Sequence, residues 1–283
     1  MSRIFYCIVG VWPLLSNLPV AALPSIDLID LGGRVQPSSV VPAVFGGSEQ
    51  RLDLTVQGIT PQADTSLRAD LFQLAGSLAM PIARNIRLEE SIALSQASPS
   101  AEQVTLKFPE VKQRAEILVR LSLFENTSQN TPTQLGDLHF EVFPASVTRE
   151  LVELLQPKSE GTPQAVVFGP GHKLRHFLAA LHVPIEDAGT GTPDRFDPAR
   201  LYFGELATDQ QFQEARDRGA GARMALFFLD DTLPAGVYAD RSHSGVLVQV
   251  TLPLLDNLAD DPRSQLGLTK IIHLLSAPPP SAN

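Results

Sequence analysis

The sequence predicts two domains, an N-terminal antiparallel β-sandwich (Ig-like) and a C-terminal three-layer α/β domain with a mostly parallel sheet. Three observations predict this. Between residues 48 and 146, apolar and polar residues alternate in short runs divided by turn-rich stretches. From 164 to 276, continuous apolar runs alternate with segments of helical period. A short polar stretch, 158–163, separates the two regimes.

The first half is justified strand by strand. Leu52, Leu54 and Val56 alternate with Asp53, Thr55 and Gln57, as a half-buried strand requires. Residues 67–74 follow the same rule loosely. Ile86 with Leu88, and Ile92 with Leu94, make shorter runs. Residues 104–108 and 115–124 alternate cleanly, and 139–143 close the series. Between them lie Gly46-Gly47, 61–64, Ser98-Pro99-Ser100 and 126–133, all rich in turn formers. Residues 23–47 are set apart as an N-terminal segment. In 147–163, Val147, Leu151, Leu154 and Leu155 share one helical face, Pro157 ends the helix, and a linker follows.

The second half begins with Ala165 to Phe168, apolar throughout, as in a strand buried on both faces. Gly169-Pro170-Gly171 turns it into a helix bearing Leu174, Phe177, Leu178 and Leu181. Strands are expected at 183–188, 201–203, 224–229 and 246–250. Thr208 and Gln211 form a capping box before a helix running to Gly219. Asp261 and Pro262 start the last helix, whose buried stripe is Leu268, Ile271, Ile272 and Leu275. Residues 277–283 are a Pro-rich tail. Strands alternating with helices imply right-handed parallel crossovers.

Address and charge narrow the function. Residues 1–22 read as a signal peptide, with Arg3, an apolar run from Ile4 to Leu15 and small residues before an expected cleavage after Ala22. An extracytoplasmic location, periplasmic or secreted, is therefore expected. The single cysteine, Cys7, falls inside that segment. The mature chain then has no disulfide, no thiolate nucleophile and no cysteine metal site. The formal net charge of −9 without a basic run argues against nucleic acid as a partner, and equally against strong binding to anionic membrane surfaces.

In an open α/β sheet, ligands bind beyond the carboxyl ends of the strands. Gly169, Gly171 and His172 would stand there as an anion cradle at a helix start, although Pro170 removes one donor. Asp187, Glu205, Asp230, Asp231 and His243 are the candidate catalytic residues, because paired carboxylates or a carboxylate with histidine can do acid–base work. A tight turn and solvated carboxylates are the structural alternatives. His172 and His176 stand four apart on one helix, but Lys173, Leu174 and Arg175 lie between them and no Glu does, so a basic helix surface is expected and no metal site. No GxGxxG, Walker or GxSxG pattern occurs, and no cofactor is expected.

One stretch carries a family resemblance. His243 to Val250, then Leu254-Leu255-Asp256, Asp261-Pro262-Arg263 and the helix ending Ile271-Ile272-His273-Leu274-Leu275 resemble the end of class I glutamine-amidotransferase-like domains. Such domains are appended to secreted bacterial glycoside hydrolases of the β-galactosidase type. The resemblance spans 164–276. It implies a flavodoxin-like sheet, and a preceding sandwich fits the accessory regions of those enzymes. Amidotransferases place a cysteine at the strand-to-helix elbow, where this chain has Phe227-Phe228-Leu229-Asp230-Asp231. The resemblance therefore implies a degenerate, non-catalytic version. The expected role is an exported binding or assembly protein linked to carbohydrate processing, with a glycan or another envelope protein as partner. A carboxylate-dependent hydrolase at the sheet's carboxyl edge is one alternative, and a structural envelope protein the other.

Overall fold

A computed structural model describes residues 25–31, 41–57, 65–89, 100–125, 132–157, 162–229, 236–240, 245–251 and 253–277. The expected signal segment with Cys7, the run at Ile92 and Leu94, most of the linker and nearly all of the tail lie outside these residues. So do the candidates Asp230, Asp231 and His243. Among the described residues the chain is mostly β, with three sheets and four α-helices.

Eight strands come first: β1 (Ser25–Leu31), β2 (Ala43–Phe45), β3 (Glu49–Gln57), β4 (Thr65–Ala75), β5 (Leu78–Glu89), β6 (Ser100–Lys107), β7 (Ala115–Glu125) and β8 (Thr133–Phe143). One sheet has the order β1-β3-β6 and the other β2-β8-β7-β4-β5. All pairings are antiparallel except β2 with β8. Period-two alternation is what joins the two sheets. Leu52, Leu54, Val104 and Leu106 from the first sheet share one buried cluster with Leu67, Leu71, Ile117, Val119, Leu121, Phe140 and Val142 from the second. Their neighbours Arg51 and Thr105 face solvent. Both β1 and β2 come from the segment set apart in sequence, and β8 starts at Thr133 rather than His139.

After β8, α1 (Ser146–Leu155) begins directly past Pro144. Then come β9 (Ala165–Phe168), α2 (Lys173–Ala180), β10 (Ile185–Asp187), β11 (Leu201–Leu206), α3 (Asp209–Arg218), β12 (Arg223–Phe228), β13 (Val237–Asp240), β14 (Val246–Val250) and α4 (Pro262–Ser276). Their sheet has the order β10-β9-β11-β12-β14-β13. Its pairings are parallel save β13, an antiparallel edge strand that periodicity did not reveal.

The continuous apolar runs have their physical reason in two separate clusters, one per face of this sheet. Val167, Phe203, Ala225 and Val248 meet Leu151 and Leu155 of α1, Leu174 and Leu178 of α2, and Leu268, Ile272 and Leu275 of α4. The alternate residues Val166, Phe168, Tyr202, Met224 and Leu226 meet Ala215 of α3. Both expected caps form. Thr208 Oγ1 accepts from the Gln211 amide at 3.3 Å, and Asp261 Oδ1 accepts from the Arg263 amide at 2.9 Å.

Candidate functional site

The carboxyl ends of β9, β10 and β11 bring five of the sequence candidates together. Glu205, on β11, is 0 % exposed. Its Oε1 accepts the Leu174 backbone N–H at 3.0 Å, and its Oε2 accepts that of Lys173 at 3.2 Å. Both belong to the first turn of α2, whose own orphan donors and positive dipole end call for an anion. The cradle expected at Gly169 and Gly171 is thus real in geometry, but the protein's own carboxylate fills it.

The glycines are explained by that carboxylate. A Cβ on Gly171 would stand 2.2 Å from Glu205 Oε2, and one on Gly169 would stand 2.2 Å from the Glu205 carbonyl oxygen. Gly169 also has φ of +97°, which side-chain-bearing residues rarely adopt. Close approach of β11 to the turn therefore demands both residues.

Arg175 completes the cluster, and sequence reasoning missed it. Its guanidinium donates to the carbonyls of Gly171 (2.9 Å), Gly169 (3.0 Å) and Gly189 (2.9 Å). It also lies 3.1 Å from Asp187 Oδ1, which accepts the Gly189 amide at 2.9 Å. Arginine's rigid fork of donors suits such a set of acceptors. The only sequence signal was a cation three residues into a helix that follows a glycine turn, and many surface helices share it.

His172 is exposed, with Nδ1 3.3 Å from Arg175 Nη1. Its ring lies near parallel to that of His176 at 6.0 Å between centroids. Lys173 pairs with Asp256 instead of offering its ammonium to a ligand. Among the described residues, no three histidine, cysteine or acidic side chains come together as a metal would require. Tyr202 is 3 % exposed, and its hydroxyl accepts the Asp197 amide at 2.7 Å. Tyr238 on β13 is 54 % exposed.

The chemical capacity of this cluster follows from its hydrogen bonds. Each Glu205 oxygen is held by a backbone donor and neither reaches solvent, so the carboxylate is placed to anchor α2 rather than to move a proton. Asp187 remains half-exposed at the sheet edge, committed to Gly189 and Arg175.

No family model matches the chain, and no curated protein matches it. Among solved structures it is similar to a Niemann-Pick type C2 protein from Japanese carpenter ant, at 11% identity and TM-score 0.30, over 43% of this chain and 94% of that one. A superoxide reductase from Ignicoccus hospitalis aligns at 14% identity and TM-score 0.21, over 42% of this chain and 80% of that one. A Bacteroides uniformis β-glucuronidase aligns at 9% identity and TM-score 0.18, over 72% of this chain and 33% of that one. Scores this low define neither a shared fold nor a shared chemistry. No helix among the described residues is long and apolar enough to cross a membrane.

Proposed function

We propose that the chain is an exported, non-catalytic binding or assembly protein, built as an Ig-like sandwich followed by a three-layer, amidotransferase-like α/β domain. The observation that carries the non-catalytic reading is Glu205. The buried carboxylate at the sheet's carboxyl edge, where an acid or base would stand, is spent on two helix N–H groups. Arg175 is likewise spent on three carbonyls and Asp187.

The partner favoured is another envelope protein. A sugar platform needs open aromatic faces; Tyr202 is inside the fold, and among the described residues Tyr238 is the one large aromatic side chain in the open. In contrast, the β4–β5 hairpin presents Leu78 at 67 %, Met80 at 48 % and Ile82 at 41 % exposure. Apolar side chains grouped at one hairpin are a contact surface in the making. Pro81 stands between them and withholds one backbone donor from any added strand, so contact through side chains is favoured over strand addition.

Calorimetric titration of the mature protein against a polysaccharide panel, beside assays on chromogenic glycosides, tests this reading. Absence of both binding heat and turnover is expected. Glycoside turnover that disappears in a folded Asp187→Ala or Glu205→Gln variant would overturn it. Saturable heat with one polysaccharide would move the partner from protein to glycan.

A further inference from the structure

Phe143 and Val147 are buried on either side of the junction between β8 and α1, but no apolar cluster runs across it. The cluster between the first two sheets is drawn from β2 to β8 and residues near them. The two clusters on the parallel sheet begin at Leu151 and share no member with it. Each body has its own core, and α1 travels with the second, since Thr148 Oγ1 donates to Gln265 Oε1 of α4 at 2.6 Å.

Arg263, in the first turn of α4, reaches back across this junction. Its Nε and Nη2 donate to Glu141 Oε2 on β8 at 2.8 and 2.6 Å, and Nη2 also donates to the Val41 carbonyl ahead of β2 at 2.7 Å. Arg114 holds the other oxygen of the same carboxylate. The covalent crossing is short: Pro144 and Ala145 join β8 to α1, and Ala145 gives that helix no side-chain cap. We propose that Arg263 and Glu141 form a latch over a hinge at residues 144–145, which holds the parallel-sheet body against the five-stranded sheet and releases it when the pair is broken.

The charges facing Glu141 define how the latch responds to acid. Arg263 faces it from α4, Arg114 from ahead of β7, Glu116 stands opposite it on β7, and His139 lies two residues before it on its own strand. Burial pushes the Glu141 carboxyl up, and the hydrogen bonds from Arg263 and Arg114 more than reverse this, leaving it below its ordinary value of 4.5. The closed state therefore binds that proton less readily than the open one. Closure is fully favoured above the ordinary value and is lost as pH falls through the lower, closed-state value.

Electron–electron distance measurements test this on the full chain carrying Cys7→Ser, with spin labels at Ser77→Cys and Asp217→Cys. A single narrow distribution is expected at neutral pH. It should broaden as pH falls from about 5 to about 3, and broaden at neutral pH in Glu141→Gln. If Glu141→Gln fails to fold by near-ultraviolet dichroism, Arg263→Lys replaces it, since lysine cannot hold the carboxylate and the Val41 carbonyl together. Broadening in a folded variant supports the latch. A narrow distribution in a folded variant at neutral pH overturns it.

Discussion

Glu205 shows how one side chain decides what its neighbours can be. Because its carboxylate sits where a Gly171 Cβ would stand, Gly171→Ala must push the cap off the first turn of α2. The expected cost is about 2–4 kcal/mol, measured by urea unfolding, in the range of overpacking combined with a lost cap. Glu205→Gln keeps one acceptor but turns an NH2 group toward a helix N–H, for a loss of about 1–3 kcal/mol. The double variant should lose less than the two single losses together, since both break one contact. Full additivity would mean that the glycine and the carboxylate do not meet. The glycines were legible in sequence as a turn and Glu205 as a residue at the sheet's edge. Their mutual dependence was not, because residues 171 and 205 are joined through strand pairing that no local pattern encodes.

At the scale of elements, the local signals that came true are those whose cause is local. Thr208 caps α3 from its own hydroxyl, so the pattern is complete within four residues. Thr208→Ala should lower stability by about 1 kcal/mol in thermal unfolding. An unchanged midpoint would show that tertiary packing alone holds α3. The short antiparallel β13 was missed because all four of its residues are exposed, which leaves no alternation to read. The hairpin of β4 and β5 belongs here as well. Leu78→Lys with Met80→Lys should stay within about 0.5 kcal/mol of the parent, since neither side chain is in a core. The same variant should lose whatever protein contact the parent makes in light scattering or crosslinking. A large stability loss would instead show that the hairpin is covered within the chain.

Across the described residues as a whole, three apolar clusters and a charged junction set the behaviour. Glu141 contributes stability whose sign in pH is fixed by its depressed folded-state value. The margin of the parent over Glu141→Gln should be complete above the ordinary carboxylate value and vanish as pH falls through the folded one. Urea unfolding from neutral pH down to about 3 reads this directly. A margin that persists unchanged at the acid end would assign it to packing rather than to charge.

The amino-acid order determined those properties that depend on neighbours along the chain: the alternation that makes half-buried strands, the continuous apolar runs of a two-faced sheet, the caps and the scarcity of thiol. Tertiary structure alone decided what distant residues do to each other. It joined β1 to β3 and β2 to β8, carried α1 onto α4, filled an anion cradle with Glu205, and set Arg263 across the junction on Glu141. Hydrogen bonds and ion pairs act over about 3 Å of space and are indifferent to separation in sequence. Periodicity can therefore tell which face a residue takes, and only folding tells what it meets there.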